Sequence, residues 1–214
     1  MRRREFVTLL GGAAAGWPIV GHAQQSERMR RVGVLLNAAA DETDYQVWLG
    51  AFLQALALLG WNIGRNVRID TRWATSNPAE IRRHAAELAA VAPDVILAHG
   101  DSTVRALLAA TRTVPIVFTI VADPIGADLV DSLTRPGGNV TGFMLFEYSL
   151  GGKWLELLKQ IAPGVTRAAV LRDPALPSGT GQFAAIQAVA PSLRMDVIPV
   201  NVREASEIER AVAA

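Results

Sequence analysis

The side chains best suited to chemistry in this sequence sit in four polar segments, each following a short apolar run. The first is Asn37-Ala38-Ala39-Ala40-Asp41-Glu42. It has no glycine pattern, and its two carboxylates would repel a nucleotide phosphate, so a dinucleotide or P-loop site is not expected there. The second is His99-Gly100-Asp101-Ser102-Thr103, where the chain can turn on Gly100 and open a helix with hydroxyls and free backbone N–H groups. Such an end receives a ligand carboxylate, although Asp101 or Ser102 could equally serve as an ordinary N-cap. The third is Asp123-Pro124, whose carboxylate can cap the following turn or take a ligand amine. The fourth is Arg172-Asp173-Pro174-Ala175-Leu176-Pro177-Ser178-Gly179, in the equivalent position of a second strand and helix unit. Asn37, Asp101, Ser102, Thr103, Asp123, Asp173 and Ser178 are therefore the candidate ligand contacts. Ser102, Thr103 and Asp123 in particular are expected to face one cleft, because ligands of open parallel sheets bind beyond the carboxyl ends of the strands.

Other chemistries lack their residues. There is no cysteine, which removes disulfides, thiolate metal sites, a thiol nucleophile and a lipid-modified cysteine anchor. His22, His84 and His99 are far apart in sequence, so no metal cluster is indicated, and His84 among Arg82, Arg83 and Glu87 reads as solvated. No Gly-x-Ser-x-Gly turn presents a serine nucleophile. Asp41 with Asp44, and Asp128 with Asp131, have the spacing of solvated helix faces. Trp48, Trp61, Trp73 and Trp154 are expected to pack rather than to stack on a ligand. Nothing calls for a cofactor.

The elements that must position these loops alternate between strand and helix. Arg31 to Leu36 is an apolar strand, and Tyr45 to Leu59 has helical spacing with Gly60 placed as a C-cap. Asn66 to Trp73 alternates with period two and suits a sheet edge. Asn77-Pro78 opens a helix with its stripe at Ile81, Ala85, Leu88 and Val91. Val95 to Ala98 is a strand, Ser102 to Thr111 a helix, Pro115 to Val121 a strand, and Asp123-Pro124 begins a short helix to about Leu133. The turn Arg135-Pro136-Gly137-Gly138-Asn139 is the best boundary candidate before Val140–Phe143. Leu150 to Ile161, Arg167 to Leu171, Gly181 to Val189, Met195 to Val200 and Glu204 to Ala213 then read as helix, strand, helix, strand and helix. Such alternation predicts α/β architecture with doubly wound parallel sheets. The division is residues 24–145 for a first unit and 146–214 for a partial second one.

Residues 1–23 read as an export signal: Arg2-Arg3-Arg4-Glu5-Phe6, a mildly apolar stretch too short to span a membrane, and small residues before a cut after Ala23. The arginine pair is similar to a twin-arginine signal, with an ordinary secretion signal as the alternative. Three arginines and one glutamate leave with this segment, which turns the net charge from +1 to −1. That balance gives no reason to expect nucleic acid or an anionic membrane as partner.

The stretch Ala122-Asp123-Pro124-Ile125-Gly126-Ala127-Asp128-Leu129-Val130, continuing to Arg135-Pro136-Gly137-Gly138-Asn139-Val140-Thr141-Gly142, resembles the signature region of the tryptophan/tyrosine-type ABC transporter substrate-binding family. Leu58-Leu59-Gly60-Trp61, Gly64-Arg65-Asn66-Val67 and Arg72-Trp73-Ala74 are similar to its earlier segments, whereas the loop His99–Thr103 departs from its small, proline-containing pattern. The resemblance implies a type I periplasmic binding protein: two lobes closing on a small organic ligand such as an amino acid or aromatic compound. It also implies an inner-membrane ABC permease as partner, while the export signal points to the periplasm, the lack of cysteine to no direct membrane anchor, and the lack of a nucleophile, metal or cofactor motif to no catalysis and no cofactor. A ligand-sensing subunit and an α/β enzyme are the alternatives. Family members are longer, so the second lobe is expected to be incomplete, with helix faces at Ile186, Val189, Ile208 and Val212 uncovered and ligand retention weak.

Overall fold

A computed structural model of the chain describes residues 28–213. The export signal expected over residues 1–23 lies outside them. Five strands form one all-parallel sheet in the order β2-β1-β3-β4-β5: β1 (Arg30–Leu36), β2 (Val67–Trp73), β3 (Val95–His99), β4 (Ile116–Val121) and β5 (Val140–Met144). β2 is at an edge, as its alternation requires. Arg31 and Arg68 on the neighbouring positions both bind the Asp70 carboxylate and hold it below the usual carboxylate range, first through the Arg31 hydrogen bond.

The strand residues are divided between two faces by the period-two pleat. Leu35, Ile96, Ala98, Ile116 and Phe118 point to the side covered by α2 (Pro78–Ala90) and α3 (Asp101–Ala110), and form the larger core with Ile81, Leu88, Val104 and Leu107. Asn77 caps α2 by accepting the Ala79 N–H at 2.8 Å, as its sequence position indicates. Val32, Val34, Leu36 and Val67 point to the other side, covered by α1 (Thr43–Leu58) through Tyr45, Leu49 and Phe52. Trp61 N–H donates to Leu56 O at 2.9 Å and Gly60 N–H to Ala57 O at 3.0 Å, the paired bonds that stop a helix at a C′ glycine.

Residues 124–128 form successive turns rather than the helix expected after Asp123-Pro124. Asp123 and Asp128 adopt φ of 44° and 54°, left-handed values that interrupt helical propagation. Arg135–Asn139 is not a boundary either. Asn139 O accepts the Ile116 N–H at 2.8 Å and its side chain donates to Val114 O at 2.7 Å, so this turn seats β5 beside β4 inside the first sheet.

After β5 the chain enters α4 (Leu150–Ile161), β6 (Arg167–Arg172), α5 (Pro177–Val189), β7 (Asp196–Asn201) and α6 (Ala205–Ala213). β6 and β7 pair in parallel as a separate two-stranded sheet. Leu155, Ile186, Ala190 and Met195 form its core. Ile186 is therefore covered, contrary to expectation, whereas Ile208 and Val212 are exposed. The opposite sheet face presents Leu171 and Ile198 to solvent. Among the described residues no helix is long and apolar enough to cross a membrane, and no group of three or more His, Cys, Asp or Glu side chains could hold a metal.

Candidate functional site

The strand order reverses at β1, so α1 leaves the end of β1 toward one face and α3 leaves the end of neighbouring β3 toward the other. This divergence opens a crevice at the carboxyl ends of the two strands. Asn37 and His99 straddle it, joined by a hydrogen bond of 2.8 Å between Asn37 Oδ1 and His99 Nδ1. Gly100 follows with φ of 82° and ψ of 161°, a conformation only glycine adopts without strain, and it sends the chain straight into α3. A Cβ there would also meet the Asn37 side chain at 3.3 Å.

No side chain caps α3, so neither Asp101 nor Ser102 fills the N-cap role. Asp101 opens the helix only 8% exposed, and its Oδ1 has no hydrogen-bond partner. Burial pushes its carboxyl above the ordinary range, against the opposing pull of the Arg105 guanidinium, the Ala122 N–H and the Ser178 hydroxyl. Ser102 is half-buried at the same helix end. Thr103 is fully buried, and its hydroxyl faces back to the carbonyls of His99 at 2.8 Å and Gly100 at 2.9 Å. It supports the loop and has no surface toward a ligand. Thr103→Val keeps the shape and removes both bonds, so it should cost about 1 kcal/mol in denaturant unfolding and leave ligand affinity unchanged. An affinity loss at unchanged stability would return Thr103 to the site wall.

Asp123 is also committed to the backbone. Its Oδ1 accepts the Gly126 N–H at 2.8 Å, its Oδ2 accepts the Tyr148 N–H at 3.3 Å, and its own N–H donates to Phe146 O at 2.8 Å. It pins the segment Phe146–Tyr148, which carries the chain out of the first sheet, to the end of β4. Asp173 behaves in the same way, taking the Ala175 N–H at 2.8 Å to close the turn after β6. Ser178, in the first turn of α5, lies beside Asp101 across the junction of the two units.

The residue that sequence reading missed is Tyr148. Its ring lies so close to α5 that a Cβ on Gly181 would sit 2.8 Å from Tyr148 Cζ and nearer still to the ring edge. Its hydroxyl is buried without a partner and titrates above the usual phenol range, through burial first and then the negative fields of Asp101 and Asp123. Gln182, one residue past Gly181, has a buried Nε2 without a partner. Asp101, Tyr148 and Ser178 thus gather where the two units meet, and Gln182 is on the same helix as Ser178. One buried unpartnered acceptor and two buried unpartnered donors are present in this group. Each such atom costs about 1–3 kcal/mol when left unmatched, which calls for a functional reason.

The tryptophans differ from expectation as well. Trp48, Trp61 and Trp154 are half-exposed rather than packed, and Trp48 stacks on His99 with ring centroids 5.6 Å apart and planes 17° from parallel. His84 is not solvated, because its Nδ1 is held 3.1 Å from Glu87 Oε2 and its side chain is mostly covered.

A family model described as ABC transporter substrate binding protein matches residues 33–214 of this chain. The chain is 29% identical over 163 residues to a tyrosine-binding protein of Clostridioides difficile (strain R20291), an alignment covering 76% of this chain and 47% of that protein. It superposes on a conserved domain protein of Vibrio cholerae with TM-score 0.75 and 28% identity, and on an ABC domain in complex with L-Trp from Streptococcus pneumonia with TM-score 0.73 and 24% identity. Both superpositions cover 86% of this chain and 61% of the other. The chain thus spans less than two thirds of the length of each of these relatives.

Proposed function

The chain belongs to the ABC transporter substrate-binding protein family and has the α/β fold of type I periplasmic binding proteins, and from that footing we propose that it captures a free amino acid. The ligand sits at the junction of two lobes, residues 24–145 and 146–214, and is passed to an inner-membrane ABC permease. The observation that carries this reading is that Asp101 Oδ1 and Tyr148 Oη are buried without a partner and close enough for the Asp101 charge to act on the Tyr148 hydroxyl, with Gln182 Nε2 also buried and unpartnered on α5. An amino acid supplies the two matching halves: its ammonium donates to Asp101, and its carboxylate accepts from the Tyr148 hydroxyl, the Gln182 amide and the neighbouring Ser178 hydroxyl. Ser102 and Asn37 flank this place, while Thr103, Asp123 and Asp173 hold the loops in position. The name of the tyrosine-binding relative supports an aromatic side chain on the ligand.

Contacts from both lobes to one ligand give the closed arrangement its preference, and capture then needs no chemical step. Export through the segment 1–23 and work in the periplasm follow from the same reading.

Calorimetric titration of the purified chain with the common amino acids tests it. An aromatic amino acid is expected to bind, and its analogue lacking the α-amino group to bind at least about tenfold more weakly, because the buried Asp101 carboxylate then stays unpaired. Equal affinity for the two would show that Asp101 does not receive an ammonium group.

A further inference from the structure

α1 packs on the sheet through Tyr45, Leu49 and Phe52, and the positions on its other side, Val47, Ala51, Gln54, Ala55 and Leu58, are exposed. That outer side is almost without charge. Asp44 is the one charged residue among the 16 of this helix, whereas α2, which also lies on the sheet, turns Arg82 and Arg83 to solvent. A helix that is apolar on its outer side as well has a second surface to bury. The apolar surface runs on past the helix through Leu59, Trp61 and Ile63, so that with Val47, Trp48 and Leu58 six large side chains stand 38–83% exposed. Together they present roughly 700 Å², more than the few hundred Å² usual on a monomer and near the ~800 Å² that each partner gives to a standard interface.

We propose that a second copy of this chain covers this surface, forming a two-fold dimer in which the two α1 helices pack antiparallel. Charge sets the orientation. Asp41 and Asp44 are exposed at the start of α1 and Arg65 is exposed just beyond its end, and among the described residues none of the three is ion-paired. Antiparallel packing brings Asp41 and Asp44 of one copy toward Arg65 of the other, twice over by symmetry, whereas parallel packing would set like charges together. The opposed helix ends attract in the same arrangement. In this register Val47 lies over Leu58 of the second copy and Ala51 over Gln54. Gly50, Ala51 and Ala55 at the centre carry little or no side chain, which lets the helices approach to about 8 Å, the lower end of ordinary interaxial spacing. A lipid surface is a poorer occupant, because α1 offers no Lys or Arg to anionic headgroups.

This dimer is independent of amino-acid capture, since Asp101, Tyr148, Ser178 and Gln182 lie outside α1. Sedimentation equilibrium of the full chain without ligand tests it. A reversible monomer–dimer equilibrium is expected, with no species beyond the dimer, because a two-fold interface closes on itself. Leu58→Lys and Val47→Glu should each weaken association by at least about tenfold, as a charge then meets an apolar contact. Both positions are exposed, so the urea midpoints of the variants should match the parent's. An equal mixture of the two variants should regain a dimer, because the antiparallel register sets their opposite charges face to face. A parent chain that stays monomeric at every concentration, whether or not it adsorbs to phosphatidylglycerol vesicles, would overturn the proposal. So would open-ended assembly, variants that associate as the parent does, or a mixture that stays monomeric.

Discussion

Asp101→Asn is expected to weaken amino-acid capture by thirtyfold or more while making the protein more stable near neutral pH. The two effects have one origin, a carboxylate kept buried without an internal match for its Oδ1. Removing one member of a buried charge pair across an interface costs about 2–5 kcal/mol, and every 1.4 kcal/mol is tenfold in affinity. The stability effect follows from the raised carboxyl pKa, whose largest cause is burial. A carboxyl titrating higher in the folded state than in the unfolded state favours folding when protonated. That contribution is fully present below the unfolded carboxylate range and is lost as pH rises through the raised folded value. At neutral pH the ionised Asp101 is therefore a net burden on the fold, which the uncharged amide relieves by about 1 kcal/mol, within the usual range for relief of a functional burden. Thermal unfolding of both proteins across pH should show the variant ahead near neutrality and the gap closing as pH falls. A variant that binds as well as the parent, or one less stable at neutral pH, would contradict the role assigned to this residue.

Gly142→Ala is expected to lower stability by about 3 kcal/mol, the upper part of the range for forcing atoms into a packed interior. A Cβ at Gly142 would sit 2.6 Å from Phe118 N and Phe118 Cγ, and nearer still to Phe118 O. These atoms belong to the adjacent strand and to a ring that is 2% exposed, so neither can yield without parting β5 from β4. Because β5 runs on through Leu145 to Tyr148, the same displacement should weaken ligand binding. Gly50→Ala is the matched control. It lies in α1 with nothing within 4 Å of the added methyl, and is expected to be neutral or to gain up to about 1 kcal/mol from helix propensity. Urea unfolding midpoints of the two variants decide the matter, and coincident midpoints would show that the sheet tolerates a side chain at Gly142.

Most elements were legible because their signals are local. The period-two run Asn66–Trp73 marked an edge strand, Asn77-Pro78 marked a helix start, and the continuous run Pro115–Val121 marked a strand, each within one residue of the element found. The turn segment after Asp123 was misread as a helix because an Asp-Pro pair signals a helix start equally well. The left-handed Asp123 and Asp128 are set by what they meet: the Asp123 backbone N–H and carboxylate are claimed by Phe146 and Tyr148, more than twenty residues away. The same distance made Arg135–Asn139 read as a boundary, which it is not once Asn139 is seen bonding to Val114 and Ile116.

The sequence by itself determined the alternation of strands and helices, the parallel sheet, and the places along the chain where a ligand could be received. These follow from apolar periodicity and turn chemistry within a few residues. Only the tertiary structure decided which polar side chains there are spent and which are free. Thr103, Asp123 and Asp173 are used up by neighbouring backbone groups, while Asp101, Tyr148, Gln182 and His99 keep a buried atom without a partner. A hydroxyl or carboxylate has the same character in either case. Its availability depends on donors and acceptors brought to it from distant parts of the chain, which no local pattern records.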